Sequence, residues 1–148
     1  MRVAVLSDIH SNYYAFKACY EDAVKSGAEM FIFLGDYVSD LSEPQRTMDL
    51  VYEIQSKYPT VCLRGNREGY MLDCESGRNN FNRGSKSGSL LFTYEHLRKK
   101  IWSLFEASKF LTLLKLKVSE LKSPTQLWIM TGIILTATTV ILPIFSRR

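Results

Sequence analysis

Val3-Ala4-Val5-Leu6-Ser7-Asp8-Ile9-His10 is a short, valine-rich apolar run that breaks off at a carboxylate and an imidazole two residues apart. Four apolar residues bounded by a polar cluster read as a strand buried on both faces and followed by a loop. The pattern recurs twice. Met30 to Leu34 ends at Gly35-Asp36, and Thr60 to Leu63 ends at Arg64-Gly65-Asn66-Arg67-Glu68, read as a third polar loop. Between these runs Ala15 to Ser26 places Phe16, Cys19, Tyr20, Ala23 and Val24 at helical spacing, with Gly27 as its stop. Pro44 suits the first turn of a second helix carrying Met48, Val51, Tyr52 and Gln55. Strand, helix, strand, helix, strand at this spacing predicts an α/β protein, a layered sheet of parallel strands flanked by helices and joined by right-handed crossovers. The three polar loops then share one sheet edge. Ligands bind beyond the carboxyl ends of such strands, where Asp8, His10, Asp36 and Asn66 all fall.

Those four residues are of metal-ligating type. Asp8 and His10 leave one short turn and can reach one cation; Asp36 can bridge two ions through its two oxygens, and Asn66 offers a neutral carbonyl oxygen. Mixed oxygen and nitrogen donors suit manganese, iron, zinc, nickel or cobalt better than calcium. Taken singly each has a plainer reading: an Asp between strand and helix is more often an N-cap, and an Asn beside Gly65 an ordinary turn residue. Four such residues ending three successive strands on one edge are hard to attribute to coincidence.

In order, Asp8-Ile9-His10, Gly35-Asp36 and Gly65-Asn66-Arg67-Glu68 spell D-x-H, G-D and G-N-x-E. This series resembles the opening motifs of the calcineurin-like metallophosphoesterases, and Ser7 to Asn12 resembles their small bacterial branch. The resemblance covers roughly residues 1–97. It implies a fold of two packed sheets flanked by helices, here truncated, and a dinuclear centre of two divalent ions, manganese foremost, acting on a phosphoester substrate. Asp8 and His10 would hold the first ion, Asp36 would bridge, and Asn66 would hold the second. Two departures stand out. Where many members have His after Gly-Asn, this chain has Arg67, which cannot act as a general acid near neutral pH. Arg67 and Arg64 can instead hold phosphate oxygens and stabilise transition-state charge, Arg67 as the candidate catalytic residue, or be solvated surface residues. The family also completes its site with later histidines, whereas the sequence holds two histidines in all, the second being His96 in a segment expected to face solvent. Impaired hydrolysis is one expectation; a non-catalytic metal- or phosphate-binding remnant is the other.

Charge separates the chain into two parts. Residues 1–97 hold 10 Lys+Arg against 13 Asp+Glu, and residues 98–148 hold 9 against 2, so the basic balance lies in the second part. No nucleic-acid-binding motif accompanies it. Three cysteines without a C-x-x-C pair indicate neither a disulfide framework nor a zinc ribbon, which fits a reducing cytoplasm, and nothing near Met1 reads as an export signal. Residues 98–148 form an atypical hydrophobic tail. Within it 127–145 is uncharged and long enough to be a marginal transmembrane span, giving a membrane-tethered alternative. The competing account is an out-of-frame translation beginning near His96 to Lys99, on which the tail should pack poorly. Read one nucleotide earlier, the codons permitted for 116–125 can spell an alternating segment with a histidine in place of Thr125.

Overall fold

The computed structural model describes residues 2–110 and 138–143. In chain order the elements are β1 (Arg2–Ser7), α1 (Tyr13–Lys25), β2 (Met30–Phe33), α2 (Pro44–Lys57), β3 (Thr60–Arg64), α3 (Asn66–Glu75), α4 (Gly88–His96), α5 (Lys100–Ala107), β4 (Lys109–Phe110) and β5 (Thr138–Pro143). The sheet runs β4-β3-β2-β1-β5. β1 pairs parallel with β2, β2 with β3, and β3 with β4, while β5 closes the other edge antiparallel to β1. The expected α/β sheet of parallel strands flanked by helices is therefore present, and the three loops after β1, β2 and β3 open on the same edge.

The core forms where the apolar faces of helices and strands meet. Phe16 from α1, Phe31 and Phe33 from β2, and Met48 and Ile54 from α2 are fully buried. Each such side chain contributes on the order of 2–3 kcal/mol on leaving water. Phe33 stands edge-on to Phe16 at 5.9 Å, which gives the α1–sheet contact a directional component as well. Pro44 occupies the first turn of α2, where its missing N–H costs nothing.

One expectation is corrected, and two others meet described residues. Arg64 to Glu68 is not one loop, because α3 begins at Asn66 and leaves Gly65 as the joint between strand and helix. The compositional change at residue 98 does not end the core. α5 carries its own apolar stripe, and Ile101 and Phe105 are fully buried in the cluster that holds Phe16 and Phe33. A count of charges does not register a stripe of this kind, which is why the sequence places α5 with the poorly packing part. Of the 127–145 span the structure describes six residues, which form strand β5. The rest of that span, Thr125 and the other tail positions beyond Phe110 lie outside the described residues. No helix among the described residues is long and apolar enough to cross a membrane. None of the three cysteines is in a disulfide.

Candidate metal centre

The loop after β1 is laced to the loop after β2 by main-chain bonds. The Asp8, His10 and Ser11 amides donate to the Gly35, Asp36 and Tyr37 carbonyls at 3.3, 2.9 and 2.9 Å. Satisfying these groups between loops, rather than within a helix or strand, holds the backbone in conformations that side chains resist. Asp8, His10, Ser11, Asp36, Ser39 and Asp40 all have positive φ, and among the described residues no other non-glycine does. Left-handed conformations cost of order 1 kcal/mol or more apiece and persist where the surroundings enforce them, typically at functional sites.

Two glycines make the approach of β2 and β3 possible. Gly35 has φ of +100°, and a Cβ there would lie 2.1 Å from the Gly65 nitrogen; a Cβ on Gly65 would lie 2.4 Å from Asp36 Oδ1. No side chain fits either position. The glycines of the G-D and G-N motifs are thus one structural device, a close crossing that sets the Asp36 carboxylate against the start of α3.

At that start the Arg67 amide donates to Asp36 Oδ1 at 2.9 Å. Asp36 so does for α3 what an N-cap side chain does, from a different loop, because the residue at the cap is Gly65. It does not cap the helix that follows it. The α2 cap is Glu43, which makes no side-chain cap bond, and Asn12, not Asp8, caps α1 by accepting from the Ala15 amide. Neither aspartate caps the helix that follows its own strand, and the capping Asp36 does provide goes to α3.

Glu68 locks the crossing from beneath. Fully buried, it accepts from the Asp36, Tyr37 and Gly65 amides at 2.9, 2.8 and 3.0 Å. Burial, then the nearby Asp36 charge, push its carboxyl up to about 7, against the pull of these three donors. Tyr37 is also fully buried, and its hydroxyl donates to the Leu63 carbonyl at 2.8 Å. Burial drives its phenol well above the ordinary range.

The result is a compact donor set. Asp8, His10 and Asp36 each offer one ligand atom, and these atoms lie within 4.8 Å of one another. The fourth residue adjoins them. The side-chain oxygen of Asn66 faces both Asp36 carboxylate oxygens, while its nitrogen lies 3.4 Å from the Tyr70 hydroxyl. Turned over, the amide nitrogen would donate to both carboxylate oxygens at 3.0 Å. In that orientation the amide and the carboxylate satisfy each other, and turning the amide back would offer its oxygen to an ion. His10 Nε2 lies 3.6 Å from Asp8 Oδ1, whereas the buried Nδ1 lies 3.1 Å from Asp40 Oδ2 at an angle that makes no hydrogen bond. Two carboxylates, an imidazole and an amide oxygen fit a divalent transition ion with oxygen and nitrogen ligands.

The two arginines differ. Arg67 is held at the site by its main chain and by its guanidinium, with Nη2 at 3.1 Å from Asp40 Oδ2. Arg64 donates to the Phe105 carbonyl at 3.4 Å, and its Nε is buried without a partner. None of its hydrogen bonds among the described residues reaches the four donors. His96 is exposed, stacks on Phe92 at 4.0 Å and bonds the Phe92 carbonyl, outside the cluster. Sequence reasoning missed Asp40 and gave Glu68 no role. The only available signals were the E of G-N-x-E and the acid four residues after Asp36. Beside Asp40 lies a shallow cleft of about 210 Å³ lined also by Leu41, Ser42, Ser89 and Phe92.

The family model for calcineurin-like phosphoesterases matches residues 1–129, reaching past residue 97. The chain belongs to that family. The family is metal-dependent, and Asp8, His10 and Asp36 form a group that could hold a metal ion in this chain. Two solved structures share the fold. A hypothetical protein from Pyrococcus horikoshii superposes with a TM-score of 0.61 at 17% identity over 73% of this chain and 48% of that one. A metallophosphoesterase from Sphaerobacter thermophilus superposes with a TM-score of 0.56 at 22% identity over 73% and 41%. The chain thus spans less than half the length of either structure. No curated protein matches it.

Proposed function

We propose that Asp8, His10, Asp36 and Asn66 hold two divalent cations, manganese first among them, and that the site hydrolyses a phosphomonoester or phosphodiester slowly. The observation that carries this reading is the convergence of three ligand atoms within 4.8 Å on two strained, mutually bonded loops. A pair of ions ~3.5–4 Å apart supplies an acidified water and neutralises charge on the phosphoryl group. Asp36, with two oxygens at the centre of the cluster, is suited to serve both ions, and Asp8 with His10 to hold one. Arg67 presents a guanidinium beside them for phosphate oxygens. Slow turnover follows from the ligand count among the described residues: His96 lies outside the cluster, few protein donors remain per ion, and loosely held ions lose aim.

That same shortage favours a second reading, a metal- or phosphate-binding protein without turnover. Manganese-dependent hydrolysis of bis(p-nitrophenyl) phosphate by the purified chain separates the two. Slow turnover abolished by Asp36→Ala supports hydrolysis. Manganese binding without turnover supports the second reading, and absence of both sinks the site.

A further inference from the structure

We propose that Asp40 is a positioning residue that holds the His10 imidazole and the Arg67 guanidinium in one arrangement, so that a metal ligand and a phosphate-binding group are aimed together. The proposal rests on the metal reading above and extends it. Asp40 Oδ2 lies 3.1 Å from both His10 Nδ1 and Arg67 Nη2, and its Oδ1 lies 3.5 Å from Ser89 Oγ. One carboxylate oxygen therefore faces both groups.

The two imidazole nitrogens have different surroundings. Nε2 faces Asp8 on the side of the donor cluster, and Nδ1 faces Asp40. An imidazole that gives its Nε2 lone pair to an ion carries its proton on Nδ1, and that proton needs an acceptor. Asp40 Oδ2, 3.1 Å away, is the carboxylate oxygen at the distance such an acceptor takes. Such a carboxylate fixes the tautomer and the ring orientation of a ligating histidine.

Arg67 is anchored twice, by its amide on Asp36 Oδ1 and by its guanidinium on Asp40. A guanidinium has five N–H donors, so one bond to Asp40 leaves others for an oxyanion. The main chain keeps Asp40 in place: the Leu41 amide donates to the His10 carbonyl at 3.2 Å, and Asp40 takes a φ of 64°, which Asp tolerates better than most residues.

The test needs no turnover. Manganese is titrated into the wild-type chain, Asp40→Gly and Asp40→Asn, with free ion followed by electron paramagnetic resonance. Glycine accepts the positive φ, so any loss in that variant comes from the missing carboxylate and not from backbone strain; asparagine keeps an acceptor oxygen but no charge. Asp40→Gly should weaken manganese binding by about 10- to 100-fold, with most of it restored in Asp40→Asn. A second readout is the binding of inorganic phosphate to the manganese-loaded protein. Arg67→Ala should weaken phosphate binding clearly in the wild-type background and much less in Asp40→Gly, since there the guanidinium is already unaimed. Wild-type manganese affinity in Asp40→Gly, equal losses in the Gly and Asn variants, or additive effects of Asp40→Gly and Arg67→Ala on phosphate would each overturn the proposal. A wild-type chain that binds no manganese would overturn the proposed function and this inference together.

Discussion

In the loops after β1 and β2, six non-glycine residues take positive φ, whereas in α4 and α5 none does. The first region gathers the carboxylates of Asp8, Asp36 and Asp40 around His10, like charges that repel one another and of which Asp40 is joined by Arg67. The second brings together Leu90, Leu97, Ile101 and Phe105 on an apolar face and leaves most of its polar groups at the surface, where Tyr94 bonds Glu75 and Arg98 bonds Asp49. Apart from Thr93, whose buried hydroxyl has no partner, the local choices in α4 and α5 agree with burial. The two loops also bury Ile9, Tyr37 and Val38, but their six positive-φ residues run against backbone preference, which is how a folded chain shows where stability has yielded to another requirement.

The contrast breaks most visibly if a packing residue proves to control the site. Phe105 is fully buried, stacks on Tyr37 at 6.5 Å and meets Trp102 edge-on at 5.8 Å. Phe105→Ala should cost about 4 kcal/mol of stability, read from urea unfolding, through lost burial and the cavity left behind. Manganese affinity of the folded variant should be unchanged. A parallel loss of affinity would mean that the Tyr37 contact transmits α5 packing to the Asp36 loop.

Parts of each region could be read from the sequence, for different reasons. Strands β1 to β3 and helices α1 and α2 announce themselves by periodicity, because their burial is one-sided or complete and short-range. The four donors announce themselves by residue type at strand ends. Glu68 and Asp40 do not, since their roles depend on which backbone amides and rings stand opposite, and a crossing of two glycines thirty residues apart determines that. α5 was hidden by its company: Lys99 and Lys100 mark the segment as basic, and the four apolar residues in Ile101-Trp102-Ser103-Leu104-Phe105 that seat it against the core carry no charge to count.

Within the site the comparison sharpens between Asp36 and Asn66. Asp36 carries a charge, stands at the centre of the donor set and caps α3, while Asn66 is neutral, exposed and at its rim. Asp36→Asn should lower manganese affinity by about 100-fold or more, beyond what outer partners of a metal site cost, and Asn66→Ala by only about 10-fold. Isothermal titration of both variants checks this. Equal losses would argue against a carboxylate shared between two ions and in favour of a single ion held by all four residues.

The smallest expected effect has the opposite sign. Ser39 is fully buried, has φ of 86°, and its hydroxyl finds no hydrogen-bond partner. Both features cost stability, the backbone because a Cβ resists that conformation and the hydroxyl because it has left water without compensation. Ser39→Gly removes both and should stabilise the protein by about 1 kcal/mol, the gain being reduced by the extra freedom glycine has when unfolded. Ser39→Ala removes the hydroxyl alone, so the difference between the two variants in thermal unfolding isolates the backbone strain. If neither variant is stabilised, positive φ at this edge is not a reservoir of strain, and the contrast between the loops and the helical pair reduces to one of composition. If Ser39→Gly is stabilised but binds manganese more weakly, the strain has a use: the enforced turn at Ser39 aims the next residue, Asp40, at His10 and Arg67, and a relaxed backbone lets that aim drift.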